Sequence, residues 1–144
     1  MLQRIQTLWL LLAGTAALLT LKFNFYGGIL KHPANAENIY YVVLNGKYSF
    51  LTTLITTAIG ITAFITIGLF KKRVIQLRLC VLGIILEALL LFLYYRAIKS
   101  IFAPGQGEYS VTALLHSLVV LFFMLAARGI SKDEKLIKES DRLR

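Results

Sequence analysis

Residues 77–97 read LRLCVLGIILEALLLFLYYRA. About 20 helical residues at roughly 1.5 Å each cover the hydrocarbon core of a bilayer, about 30 Å thick. Between Arg78 and Arg96 only Glu87 interrupts the apolar run, so this stretch predicts a membrane-crossing helix. Lys71-Lys72-Arg73 precedes it and Tyr94-Tyr95 closes it. Basic residues at one end and aromatic residues at the other give such a helix a fixed orientation, because lysine and arginine stay on the cytoplasmic side while tyrosine rings settle at the headgroup level.

Three further apolar runs flank this one, at about residues 5–21, 51–69 and 111–127. Composition agrees: the 144 residues are 58% hydrophobic and 16% charged, with a mean hydropathy of +0.72. A soluble domain needs about a quarter of its residues charged, so membrane insertion is the simpler account. Four spans put both termini on one side. Eleven basic residues fall on the side of the termini, including Arg4, Lys71, Lys72, Arg73, Lys138 and Arg142, against five on the other: Lys22, Lys31, Lys47, Arg96 and Lys99. All seven tyrosines lie in or beside the opposite connections. Both termini are therefore expected in the cytoplasm. The same bias opposes a dual-topology arrangement in which small exporters pair head to tail.

The formal charge of +9 comes from residues that flank apolar runs, so it is matched to lipid headgroups rather than to nucleic acid. The single cysteine, Cys80, forms no intrachain disulfide. Arg4 before an apolar stretch resembles a signal peptide, but apolar Leu18 and Leu19 follow the small residues Gly14 to Ala17, where a mature domain would turn polar. An uncleaved first span is expected.

The connection over residues 22–49 is long enough to fold. Leu21, Phe23 and Phe25 alternate with polar residues before Gly27-Gly28, and the β-prone run 39–44 leads into Asn45-Gly46. Asn-Gly tolerates positive φ and signals a hairpin, so two or three short strands are expected to cap the outer face. The plainer alternative is an aromatic-rich loop at headgroup level, with Tyr40, Tyr41, Tyr94, Tyr95 and Arg96 as interface anchors. The connection containing Ala103-Pro104-Gly105-Gln106-Gly107 reads as a turn. In the tail, 128–144, Ser131-Lys132-Asp133-Glu134 fits a capping box, which predicts a separate short cytoplasmic helix. With Lys71, Lys72, Arg73, Glu134, Lys138 and Arg142, that end offers charges for docking a partner; the alternative is a solvated extension.

Glu87 is the residue with chemical potential. An ionisable side chain near the bilayer midplane costs a few kcal/mol on insertion scales, so it must face protein or water. Cys80, Gly83, Glu87 and Tyr94 share one helix face. His116 and Ser117 fall about one turn from it in depth, and Thr53, Thr56, Thr57, Thr62 and Thr66 are expected to offer hydrogen bonds. A polar core of Glu87, His116, Ser117, Thr56 and Cys80 follows, used either to fasten helices or to carry a proton. No spacing of histidine, cysteine and carboxylate predicts a metal, and no cofactor or catalytic residue is indicated. Ala13, Gly14 and Ala17, and Thr56 with Gly60, have small-xxx-small spacing that favours close helix approach, within the bundle or against another protein.

The opening Met1-Leu2-Gln3-Arg4-Ile5-Gln6-Thr7 and the closing segments Ala126-Ala127-Arg128, Lys132-Asp133-Glu134-Lys135-Leu136 and Asp141-Arg142-Leu143-Arg144 resemble an uncharacterised family of small four-span inner-membrane proteins of Gram-negative bacteria, classed as a domain of unknown function. The resemblance implies four helices and an inner-membrane location, and carries no activity. The expected fold is an all-α membrane protein, one domain over residues 1–144, in which a four-transmembrane-helix bundle carries a small outer β-hairpin-like cap between helices 1 and 2. The expected role is a non-enzymatic accessory or scaffolding subunit of a larger inner-membrane complex, with the lipid bilayer and other membrane proteins as partners and no identifiable small-molecule substrate. A secretion or protein-insertion complex is one host it would fit. A small proton-coupled transporter using Glu87 and a lipid-binding envelope module are the alternatives.

Overall fold

The computed structural model describes residues 2–31, 41–70 and 72–142, with side chains over 5–31, 41–70 and 72–137. These residues form four α-helices and three strands: α1 Leu2–Leu19, β1 Asn24–Leu30, β2 Tyr41–Asn45, α2 Phe50–Gly68, α3 Arg73–Ile101, β3 Phe102–Tyr109 and α4 Leu114–Arg142. A single 3-10 turn, Val111–Ala113, leads into α4. The helices close into a ring, α1 against α2 and α4, and α3 against α2 and α4. The strands lie at the end where α1 and α3 finish and α2 and α4 begin.

Each helix buries one stripe at alternating spacings of three and four, the pattern that keeps a helix face turned to its neighbours. On α3 the stripe is Gln76, Cys80, Gly83, Glu87, Leu90 and Tyr94. On α4 it is His116, Val119, Phe123, Ala126, Ile130 and Asp133. Small residues set the helix spacing. A Cβ at Gly83 would lie 2.6 Å from the Phe123 ring, and one at Gly60 would lie 2.9 Å from Leu18. Gly14 faces Ala63 and Phe64 at 3.2 and 3.1 Å by the same measure. The small-residue spacing read in the sequence thus serves contacts within the chain.

Three helices among the described residues are long and apolar enough to cross a membrane: Phe50–Gly68, Arg73–Ile101 and Val111–Ile137. The apolar part of α1, Ile5–Leu19, is shorter. α1 ends at Leu19, close to the expected residue 21, and Gly46 N–H donates to the Thr20 carbonyl at 3.1 Å where the chain turns towards β1.

The cap forms as an antiparallel β1–β2 pair between α1 and α2, as expected, and is extended by a third strand from elsewhere in the chain. Its order is β2-β1-β3, both pairings antiparallel, so the central strand pairs with a segment from the α3–α4 connection. Residues 102–109, expected to be a turn, form β3. Pro104 cannot extend α3 and lacks a ladder donor, but an edge strand tolerates it. Gly107 lets β3 come close, since a Cβ there would lie 2.3 Å from the Tyr26 hydroxyl. Asn45-Gly46 ends β2 and leads into α2 instead of turning a hairpin. The Gly46 carbonyl accepts from the Thr52 and Thr53 hydroxyls at 3.3 and 3.0 Å, and Ser49 N–H donates to Thr52 Oγ1 at 3.0 Å, so the start of α2 is capped.

The separate tail helix is also corrected. α4 runs without a break from Leu114 to Arg142, so Ser131 is an interior position and the capping box does not form. The buried stripe passes straight through it by way of Ile130 and Asp133.

Candidate functional site

Glu87 is the central residue of α3, 1% exposed, and His116 on α4 is 3% exposed. His116 Nδ1 and Glu87 Oε1 are 2.5 Å apart, a separation that requires a proton between them. The sequence placed the two about a helical turn apart in depth. Their side chains meet directly, which brings the centre of α3 against the start of α4.

Aromatic rings close the sheet side of this pair. Phe25 on β1 meets His116 edge-on, with centroids 5.1 Å apart, and stacks on Tyr94 at 4.7 Å. Tyr94 meets His116 edge-on at 5.4 Å, and Tyr109 on β3 stands edge-on to Phe25 at 5.7 Å. Ser110 N–H donates to the Phe25 carbonyl at 3.0 Å and the Thr112 hydroxyl donates to the Asn24 carbonyl, so the start of α4 holds β1 over the pair. The phenol of Tyr94 is fully buried, with its hydroxyl beside that of Thr56 and near Glu87.

The other expected core residues divide. Thr56 and Cys80 are fully buried on the inward stripes. Ser117 is exposed and donates to the Leu114 carbonyl at 2.7 Å, so it is not part of the core; it follows His116 by one position and therefore faces away. The threonines of α2 do not serve Glu87 or His116. Thr56, Thr57, Thr62 and Thr66 each donate to the carbonyl four residues earlier, at 2.6 to 2.8 Å, which satisfies a hydroxyl within its own helix.

Among the anchors, Tyr94 is corrected: it is a core ring at 0% exposure. Tyr95, Arg96 and Tyr41 are exposed, Lys99 Nζ lies 4.8 Å from the Tyr95 ring centre, and Tyr40 is outside the described residues. At the opposite end Lys72 is exposed, while Glu134 is half-buried and engaged. Lys71 and the side chains of Lys138 and Arg142 lie outside the described residues.

Arg73 is not a free docking charge. Its Nη1 is 3.7 Å from Asp133 Oδ2, and the same oxygen accepts from Gln6 Nε2 at 2.6 Å. Gln76 Nε2 donates to the Thr66 carbonyl at 2.8 Å. This cluster ties all four helices together at the end away from the sheet, and Gly129 makes room for it, since a Cβ there would lie 2.8 Å from Gln6. Sequence reading missed it. The available signal was that Gln6 shares the stripe of Leu10, Ala13 and Ala17, and Asp133 that of Ala126 and Ile130.

Among the described residues no group of three histidines, cysteines or carboxylates is placed to hold a metal. The central pair can hold a proton, and it can fasten α3 to α4. A family model described as a domain of unknown function (DUF4293) matches residues 2–143. No curated protein and no solved structure matches the chain.

Proposed function

The chain belongs to the family described as a domain of unknown function, DUF4293. From its polarity pattern we propose that it is a multi-pass protein of the bacterial inner membrane. Both termini are cytoplasmic, and it acts as a non-enzymatic accessory or scaffolding subunit of a larger membrane complex. The observation that carries the membrane reading is the inverted distribution of polarity. The buried stripes hold Gln6, Thr56, Gln76, Glu87, His116 and Asp133, while the outward faces carry large apolar residues such as Ile61, Ile85, Phe92 and Leu121, at 56%, 58%, 54% and 43% exposure. Water would penalise that surface and lipid would not.

The scaffolding reading is supported by how the buried polar groups are spent. Glu87 is committed to His116 and covered by Phe25, and Asp133 is committed to Gln6 and Arg73. Internal pairing of this kind stiffens a bundle. What remains for a partner is the cytoplasmic end, where Lys72, Arg128, Lys132 and Lys135 are exposed. Purification of the tagged protein in mild detergent is expected to bring down a second membrane protein at fixed stoichiometry. Reversing Lys72, Lys132 and Lys135 to glutamate should release it while leaving the bundle folded. A lone monomer or homodimer would overturn the scaffolding role.

A further inference from the structure

We propose that Glu87, His116 and Tyr94 form a proton-binding site that exchanges with the sheet side of the bundle past the Phe25 ring and is sealed toward the opposite end. The inference goes beyond a scaffolding role and makes the bundle a one-sided proton sensor. Three observations carry it. The carboxylate and imidazole are in direct contact and nearly excluded from solvent. A third proton-bearing group, the Tyr94 hydroxyl, is fully buried beside the Thr56 hydroxyl and Glu87. Finally, the enclosure is unequal. Toward the sheet the pair is covered by Phe25, itself only half-buried, with exposed Tyr109 behind it. In the other direction Ile59, Cys80, Val119 and Phe123 fill the stripes at 0% exposure.

The proton balance is simple. In the empty form a neutral imidazole donates Nδ1–H to the Glu87 carboxylate, and the pair carries one negative charge. The loaded form gains one proton, at Nε2 of His116 or on the second carboxylate oxygen, and is neutral. Tyr94 from α3 and Phe25 from β1 contact His116, with Thr56 of α2 beside Tyr94 and Tyr109 of β3 behind Phe25. The charged Arg73–Asp133 pair is at the far end of the bundle. Because Phe25 belongs to the central strand, a change of charge beneath it is felt by the whole sheet.

The chain has two histidines, His32 and His116, so a His32→Gln background makes the imidazole nitrogen NMR spectrum report His116 alone. With this full-length protein in lipid nanodiscs, the spectrum is expected to pass between two states on titration between about pH 4 and about pH 10, a span covering ordinary glutamate, histidine and tyrosine values. Glu87→Gln should displace that transition. Phe25→Ala should speed proton exchange at His116 about tenfold through loss of two ring contacts. A single unchanging His116 state over the whole range would overturn the site, and needs no variant of the pair to fold. Unaltered exchange in a folded Phe25→Ala protein would overturn the sheet-side route.

Discussion

His116→Leu is expected to destabilise the protein by about 3–5 kcal/mol, because it leaves a fully buried carboxyl without its partner. Glu87→Leu alone strands the imidazole and should cost a similar amount. The double replacement Glu87→Leu with His116→Leu is expected to return to within about 1 kcal/mol of the original, since an apolar pair of similar volume carries no desolvation penalty. Denaturation in detergent followed by circular dichroism measures all four corners of this cycle. Simple additivity of the two single changes would mean that the residues do not act as a unit. Total stabilities are about 5–15 kcal/mol, so either single change removes a large share.

Gly83→Val should be comparably severe, for a steric reason. Any Cβ at this position would lie 2.6 Å from Phe123 Cζ, with Cε1 and Cε2 of the ring at 2.8 and 2.9 Å. A branched side chain must push α3 off α4, and overpacking of this kind costs about 3 kcal/mol at the upper end of the usual range. The displacement also pulls on the Glu87–His116 contact one turn away, so loss of stability should come with a changed environment for His116. Combining Gly83→Val with Phe123→Leu should recover about 1–2 kcal/mol, because the two positions share one contact. An unaltered melting curve for Gly83→Val would mean that the helices are not packed as described.

Glu87 and the inward stripe of α3 were legible in the sequence because a period of three and four is a local property of one helix. The same holds for the layout of the apolar runs. The neighbour of Glu87 was named as well, but the way β3 and the 3-10 turn return the chain to α4 was not. That return is non-local. Ala103-Pro104-Gly105-Gln106-Gly107 has the chemistry of a turn, and becomes a strand only because β1 offers an edge and Tyr26 covers Gly107. Local signals also misled at Ser131, where a capping pattern lies inside a continuous helix whose buried stripe overrides it. The Gln6–Asp133–Arg73 cluster joins residues 127 positions apart and leaves no mark in any single window. Stripe position was the remaining clue: a polar residue on an otherwise apolar inward stripe must find its partner inside.

Both polar clusters are consistent with one physical account. In lipid, helix association has no hydrophobic drive, so small residues bring backbones together and interior hydrogen bonds add specificity. Gly14, Gly60 and Gly83 supply the first, and the two clusters supply the second, one beneath the sheet and covered by Phe25, the other at the end away from the sheet.

The central claim is that the apolar outward faces lie in lipid, with the sheet outside and the tail inside. Cysteine accessibility in intact cells tests it most directly. In a Cys80→Ala background, single cysteines replace Ile61, Ile85 or Leu121 at mid-helix, Lys47 beside the sheet, and Lys132 near the end of α4. The account predicts that a membrane-impermeant maleimide labels position 47 at once, position 132 only after the cells are opened, and the three mid-helix positions in neither case. Ready labelling of the mid-helix cysteines, or labelling of position 132 before position 47, would contradict it.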